Sequence, residues 1–294
     1  MDISFIIVNY KRPDLIFDCI KSIREKTKFN IFEIIVVDNS SDYFLCKELT
    51  KFKNVLYVDA FSNIGFGRAN NYGATFAKGK YLFLLNSDTL LLNDASKILY
   101  DAHESIDKAG IVCANLFDIN LKPNHTYGMV LPEILTLFLY RFHLLKLFPN
   151  LSENFNHSNY PKKVKQIIGA NMFLKRDLFI EISGFDHNFF MYVEDTELSV
   201  RISKMGLDLI NIPEAKIIHL QGASSHNTNS IEREINSYTY FFLKYKSVSY
   251  LRAYILMELF QIFFKRAYFL LKGSKRYENL IHSLILKLRA TFKY

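Results

Sequence analysis

A continuous apolar run at Ile3–Val8 and strand patterns at Phe32–Val37, Val55–Val58 and Lys80–Leu85 punctuate the first part of the chain. They do not alternate with polar residues, which is the pattern of strands buried on both faces. Between the first two, Ile16, Ile20 and Ile23 recur at helical spacing behind Lys11-Arg12-Pro13-Asp14. A short helix is expected after Asp38-Asn39-Ser40-Ser41, and another after Asn63-Ile64-Gly65-Phe66-Gly67-Arg68. Strands that alternate with helices predict an α/β fold, a mainly parallel sheet with right-handed crossovers. In such sheets ligands bind beyond the carboxyl ends of the strands. Three polar clusters fall there: Asn9-Tyr10, Asp38-Asn39-Ser40 and Asn86-Ser87-Asp88, the last interrupting "FLLNSDTLLL". Asn, Asp and Ser also serve turns and helix caps, as Asn93-Asp94 does by its position. Three such clusters in register favour a binding crevice along one rim.

The pattern then loosens. Residues 110–163 are less regular. Met129–Phe148 is rich in Leu, Phe and Tyr, but Pro132, Glu133, Arg141, His143 and Lys146 break it, which excludes a bilayer span. Two readings stay open for it: a helical insertion lining an acceptor groove, or a helix packed on the core. Ser152–Lys163 reads as a loop, and Gly169–Leu174 as a tight turn entering a strand. Glu194 and Asp195 open an amphipathic helix whose inner face includes Leu198 and Ile202, a placement that suits acidic residues at a helix N-terminus. Leu207–Ile212 and Ala215–Ile218 read as strands, His219–Ser230 as a Gly/Ser-rich loop, and Ile231–Tyr294 as two or three helices.

Charge sharpens this division. The 294 residues carry a net charge of +8, but residues 241–294 hold 11 Lys/Arg against 2 Asp/Glu, while residues 1–240 hold 26 against 27. The basicity belongs to the tail and calls for an anionic partner there. A near-neutral main domain without a nucleic-acid motif argues against a nucleic-acid binder. The tail's "YILMELFQIFF", Tyr254–Phe264, is too short to span a bilayer and contains Glu258 and Gln261. Its basic and aromatic content suits an anionic membrane surface, with a helical subdomain or a homodimer interface as the alternatives. Cys19, Cys46 and Cys113 are scattered, odd in number and without C-x-x-C pairing, so they read as reduced thiols of a cytosolic protein. "MDISFIIVNY" enters a strand pattern with no basic n-region or cleavage site, and no signal peptide is expected.

Seven segments in order carry a family resemblance: "FIIVNYKRPD", "IIVVDNSS", "NIGFGRANNYG", "LFLLNSDT", "GANMFLKRD", "GFDHNFFMYVEDTELSVR" and "HLQGASS". The chain resembles family 2 glycosyltransferases of the GT-A fold, and within them the bacterial rhamnosyltransferase group, with galactofuranosyltransferases nearby. The resemblance covers roughly residues 3–225. It implies a GT-A domain over 1–230, with a nucleotide-binding half (1–110) and an acceptor and catalytic half (111–230), followed by a basic aromatic helical extension over 231–294.

The implied reaction moves a sugar from a nucleoside diphosphate to an acceptor hydroxyl with inversion. It needs a divalent cation, Mg²⁺ or Mn²⁺, to neutralise the diphosphate, a base for the acceptor proton, and a nucleoside site. "LLNSDT" resembles the family's D-x-D segment and makes Asp88 a metal ligand; the first acid is here Asn86, which removes one carboxylate. His219, in "HLQGASS", resembles the second ligand. Asp195 resembles the catalytic base, with Glu194 orienting the acceptor; mutual repulsion and burial are expected to raise their pKa values. Asp38 resembles the residue that recognises base or ribose. Val8, Tyr10 and Arg12, Asn63, Gly65 and Arg68, and Asn86 and Ser87 are the remaining donor-contacting positions. The expected donor is dTDP-rhamnose, the neighbouring option a UDP-sugar (galactofuranose, glucose or N-acetylhexosamine), and the acceptor a glycan or lipid-linked sugar of a bacterial surface polysaccharide. The expected location is cytoplasmic, peripheral on the inner face of the plasma membrane. Asn86 keeps one other class in view, a non-catalytic nucleotide-sugar-binding scaffold.

Overall fold

The computed structural model describes residues 1–28, 31–220 and 228–271. The chain begins with β1 (Ile3–Asn9), α1 (Pro13–Lys26), β2 (Phe32–Asp38), α2 (Tyr43–Leu49), β3 (Val55–Asp59), α3 (Phe66–Ala74) and β4 (Tyr81–Asn86). It continues with β5 (Thr89–Leu91), α4 (Ala95–Ser105), β6 (Ala109–Phe117), β7 (Tyr127–Gly128), α5 (Ile134–Arg141), a 3₁₀ turn (Leu144–Leu147) and α6 (Pro149–Ser152). Then come β8 (Lys162–Val164), β9 (Gln166–Ile167), β10 (Asn171–Lys175), α7 (Arg176–Glu181), α8 (Glu194–Lys204), β11 (Asp208–His219), α9 (Thr228–Tyr245) and α10 (Val248–Leu271).

The main sheet runs β3-β2-β1-β4-β10-β6-β11-β5, with β8 on the side of β11. β1 is parallel to β2 and β4, and β2 to β3. β10 enters antiparallel between β4 and β6, and β11 returns parallel to β6. The sheet is mixed and mainly parallel, as expected. One core lies under α1, α2 and α4, where Ile16, Ile20, Leu45 and Leu99 meet Phe5, Phe83 and Phe173. The rings of Tyr81 and Phe173 stack there with centroids 4.9 Å apart. The other core lies under α3, α7 and α8 and takes Ala69, Phe179, Phe185, Leu198 and Ile202.

Two elements depart from expectation. The irregular region opens with a nine-residue strand, β6, buried along nearly its whole length. Its "AGIVCANLF" mixes Gly110 and Asn115 into the apolar run; the buried Asn115 donates its amide to the Asn156 carbonyl at 2.8 Å. The two expected strands at 207–218 are one strand, β11, which shifts register on β6 between Ile212 and Lys216. Pro213 and Glu214 mark that irregularity, the place where Pro is tolerated in a sheet.

By internal packing the chain divides into two units. The first comprises 1–129, 153–190 and 194–224; the second comprises 130–152, 191–193 and 225–294. In the second, α9 packs on α10 through Phe242 and Tyr254, with ring centroids 4.8 Å apart. The Met129–Phe148 segment forms α5 and the 3₁₀ turn. Arg141 at the end of α5 donates to Glu258 on α10 at 3.0 Å and accepts, through its carbonyl, from Gln261 at 3.1 Å. Of the expected loop at 219–230, residues 221–227 lie outside the described residues, as does 272–294 of the tail.

Candidate active site

The site grows from the carboxyl ends of the parallel strands. β1 ends on Asn9, fully buried, whose amide donates to Asp38 at the end of β2 at 3.0 Å. Asp38 accepts further bonds from Ser40 N (3.0 Å), Ser40 Oγ (2.6 Å), Asp42 N (2.7 Å) and the Tyr57 hydroxyl (3.0 Å). Burial raises its pKa, but these donors outweigh burial and hold it below the usual carboxylate range. Five protein donors occupy the acceptor capacity of one carboxylate. Asp38 thus fixes the 38–42 turn from within. The groups that face outward beside it are Tyr10, 47 % exposed, and the backbone of the following turn. Val8 is half-buried on the same strand end. Arg12 makes a two-pronged contact with Asp14 (3.0 and 2.7 Å) and lies within electrostatic reach of Asp88.

Asp88 and His219 are brought together by strand pairing. β5 runs antiparallel to the end of β11 with Thr89 opposite His219, and Leu220 N donates to the Asp88 carbonyl at 2.9 Å. This leaves His219 Nε2 3.3 Å from Asp88 Oδ1 and 3.4 Å from Asn86 Nδ2. His219 Nδ1 is buried without a hydrogen-bond partner among the described residues. Ser87 lies half-buried between the two side chains that flank it. An octahedral cation with bonds of about 2.1 Å sets neighbouring ligands roughly 3 Å apart, so this oxygen–nitrogen pair fits one edge of such a site. Among the described residues no group of three His, Cys, Asp or Glu side chains is placed to hold a metal. One carboxylate and one imidazole are a donor set that suits a cation shared with phosphate oxygens and water.

The helix α8 supplies the acids. Two consecutive residues before it, Tyr192 and Val193, hold left-handed φ values of 72° and 67°. A β-branched residue there is a backbone outlier of the kind that collects at functional sites. Asp195 Oδ2 accepts from Gly169 N at 2.9 Å, and its Oδ1 from Thr196 N at 2.7 Å. Glu194 is buried, and its Oε2 has no partner among the described residues. Burial first, and then the Asp195 charge, push the Glu194 pKa up to about 8. Burial raises the Asp195 pKa as well, against the opposing pull of its backbone donors. The backbone donors favour negative charge on Asp195 over Glu194, whose Oε2 has no partner among the described residues.

Two residues of the site lie outside every recognised motif. Asn124 donates to the His219 carbonyl at 3.2 Å. His125 Nε2 donates to the Tyr127 carbonyl at 3.1 Å, and His125 feels the charges of both Asp195 and His219. Neighbouring protein atoms desolvate the ring and lower its pKa, although the residue keeps an exposed surface. His125 thus stands within electrostatic reach of both Asp195 and His219.

Gly65 and Arg68 hold the site's frame. Gly65 has φ +90°, and a Cβ there would lie 2.2 Å from the Phe190 carbonyl oxygen. That carbonyl accepts from Phe66 N at 3.1 Å, and Asn63 Oδ1 accepts from Gly65 N at 3.1 Å. Arg68 Nε donates to the His187 carbonyl at 2.7 Å. Both residues tie the start of α3 to the loop before α8. Gly65→Ala is expected to destabilise the protein by more than about 2 kcal/mol, because neither the φ value nor a backbone neighbour can yield cheaply. Chemical denaturation of this variant beside Gly67→Ala, which would press only on the Phe185 side chain, checks it.

The family model described as "Glycosyl transferase family 2" matches residues 4–183, and one described as "N-terminal domain of galactosyltransferase" matches residues 149–224. Rhamnosyltransferase WbbL of Escherichia coli is 25 % identical over 231 residues, which are 74 % of this chain and 83 % of WbbL. The low-salt glycan biosynthesis hexosyltransferase Agl10 of Haloferax volcanii is 27 % identical over 224 residues, 75 % of this chain and 67 % of that protein. The crystal structure of GalNAc-T7 with UDP, GalNAc and Mn²⁺ superposes with a TM-score of 0.63 at 18 % identity, over 81 % of this chain and 47 % of that one. The last likeness shows the fold: a GT-A sheet.

Proposed function

The chain belongs to glycosyl transferase family 2, and on that premise we propose that it transfers a sugar from a nucleoside diphosphate to an acceptor hydroxyl with inversion, at the rim shared by Asp88, His219, His125 and Asp195. The observation that carries this reading is the split acid pair. Asp195 keeps its charge on two backbone donors, and Glu194 beside it keeps a proton. A base and a hydrogen-bond donor side by side are what an incoming hydroxyl needs: Asp195 takes its proton, and Glu194 orients it. A scaffold that only bound nucleotide-sugar would have no use for a buried, partnerless acid.

Asp88 and His219 would hold Mg²⁺ or Mn²⁺, with Asn86 as a neutral neighbour. When bound, the cation offsets the charge on the departing diphosphate. With one carboxylate instead of two, the protein alone would bind the cation weakly, and a bound nucleoside diphosphate would strengthen it. Metal and donor should therefore bind together. The nucleoside lies along Val8, Tyr10 and the turn that Asp38 organises, with Arg12, Ser87 and Arg68 towards the diphosphate and sugar.

The rhamnosyltransferase name of one relative supports a rhamnose donor, which in this reading is dTDP-rhamnose passed to a surface-polysaccharide acceptor. The match of residues 149–224 to the galactosyltransferase model supports a UDP-hexose as the second reading. Thermal unfolding against a panel of nucleotide-sugars discriminates the two. At a hundredfold excess over Kd the cognate donor with Mn²⁺ is expected to stabilise by about 2.7 kcal/mol. EDTA should remove that shift and Mn²⁺ restore it. A donor shift that survives EDTA would take the metal role from Asp88 and His219, and the absence of any shift across the panel would sink the donor site. Residues 241–294 then bring the enzyme to an anionic membrane surface, where a lipid-linked acceptor resides.

A further inference from the structure

Helix α10 is apolar on both faces, with polar groups buried within it. Its buried side chains include Leu251, Tyr254, Ile255 and Ile262, but also Glu258 and Gln261. Those two polar groups are matched from within: Glu258, 1 % exposed, pairs with Arg141, and Gln261 donates to the Arg141 carbonyl. The opposite face carries Leu256, Phe260, Phe263 and Phe264, which are 65, 52, 67 and 49 % exposed. Their spacing places all four on one stripe. A surface helix in water does the reverse, turning its polar residues outward. The stripe is also continuous. The Phe260 and Phe264 rings lie 4.4 Å apart, and Phe142, beyond α5, approaches Phe260 at 6.3 Å.

Scattered exposed apolar residues are ordinary, whereas a contiguous stripe marks a surface that something covers. The charge beside it says what. Lys265-Arg266 follow the stripe directly, and residues 265–294 hold 8 Lys/Arg against 1 Asp/Glu. Aromatic residues next to excess cation complement an anionic lipid surface, with rings at the headgroup boundary and charges on the phosphates. No helix among the described residues is long and apolar enough to cross a membrane. We infer that α10 lies in the plane of an anionic bilayer with the Leu256–Phe264 face inserted at the headgroup boundary. This rests on the membrane placement proposed for residues 241–294 and adds to it an apolar anchor at named residues.

Flotation of the full-length protein with phosphatidylcholine vesicles, with and without phosphatidylglycerol, tests it. The wild type is expected to float with the anionic vesicles. Phe260→Ser with Phe263→Ser should lower the partition coefficient about tenfold or more, because two aromatic insertions are lost. Both side chains are exposed, so the melting temperature and nucleotide-sugar binding should hold. Equal flotation of wild type and double variant, both stripped by high salt, would leave the basic tail as the only anchor and overturn the inserted face. Failure of the wild type to float would overturn the membrane placement with it, while donor binding would still report on the transferase reading separately. A solution dimer that the double variant dissociates would assign the stripe to a second copy instead and likewise overturn the proposal.

Discussion

Replacing Asp195 with Asn is expected to slow sugar transfer by roughly 10²–10⁴-fold, the range associated with a lost general base, while nucleotide-sugar affinity stays within about twofold. The donor-side residues belong to other elements: Asp88 follows β4, His219 ends β11, and the Asp38 turn follows β2. None of them bonds to the Asp195 carboxylate, whose partners are Gly169 N, Thr196 N and Thr196 Oγ1. The substitution has a local cost. An amide can accept with one atom only, so its NH₂ must face one of the two backbone N–H groups, at about 1–3 kcal/mol. The melting temperature should fall modestly and turnover far more. Asp195→Glu separates the effects, since it keeps the charge and moves it by one methylene. Steady-state kinetics beside calorimetric donor binding decide the matter. Wild-type turnover in Asp195→Asn would remove Asp195 from the base role, and equal losses of turnover and donor affinity would make it a residue of the donor site.

Glu194→Gln is expected to stabilise the protein at pH 9 and to do little at pH 5. A Glu in the unfolded chain releases its proton near its ordinary pKa of 4.5, whereas the buried Glu194 keeps its proton until about pH 8. Between those values the native state binds more protons than the unfolded one. Stability therefore falls as pH rises through the window, by an amount on the order of 3–5 kcal/mol. Below pH 4.5 both states are protonated and the penalty vanishes. Gln keeps the shape without that titration, so its unfolding free energy should fall less steeply over the same window. Parallel denaturant titrations of both proteins from pH 5 to 9 read the difference directly. Identical slopes would mean that Glu194 is ionised in the native protein and that Asp195 does not hold the negative charge of the pair by itself.

Much of this architecture is legible along the chain, because fully buried parallel strands advertise themselves. β1, β2, β3 and β4 are mostly apolar, broken only by Ser4 and Glu33, and stop at Asn or Asp, and the helices between them announce their inner faces by spacing. β6 escaped because Gly110 and Asn115 interrupt its run, and the partners that make Asn115 tolerable come from residue 156, far along the chain. The same reason hides Asn124 and His125. A single imidazole in an irregular stretch carries no pattern, and only the folded connection places it between Asp195 and His219. The fate of individual polar bonds is likewise invisible. Asp38 reads as a ligand-facing carboxylate, yet its oxygens are taken by Asn9, Ser40, Asp42 and Tyr57. One missed signal was available: Glu197 and Arg201 stand four apart on α8 and form a buried pair, with Arg201 also donating to the Ile182 and Gly184 carbonyls. That clamp seats the loop that precedes the acid pair.

The register of β11 against β5 has a practical meaning for anyone who would lengthen or recombine this chain. Asp88 and His219 sit more than a hundred positions apart in sequence, yet their separation is dictated by rungs of a ladder and not by a pliable loop. Sliding one strand by a single residue would turn the imidazole to the opposite face of the sheet and leave the carboxylate alone. Insertions are best absorbed upstream, where the strand already breaks step between Ile212 and Lys216, because the rungs beyond that break can then re-form with the same partners.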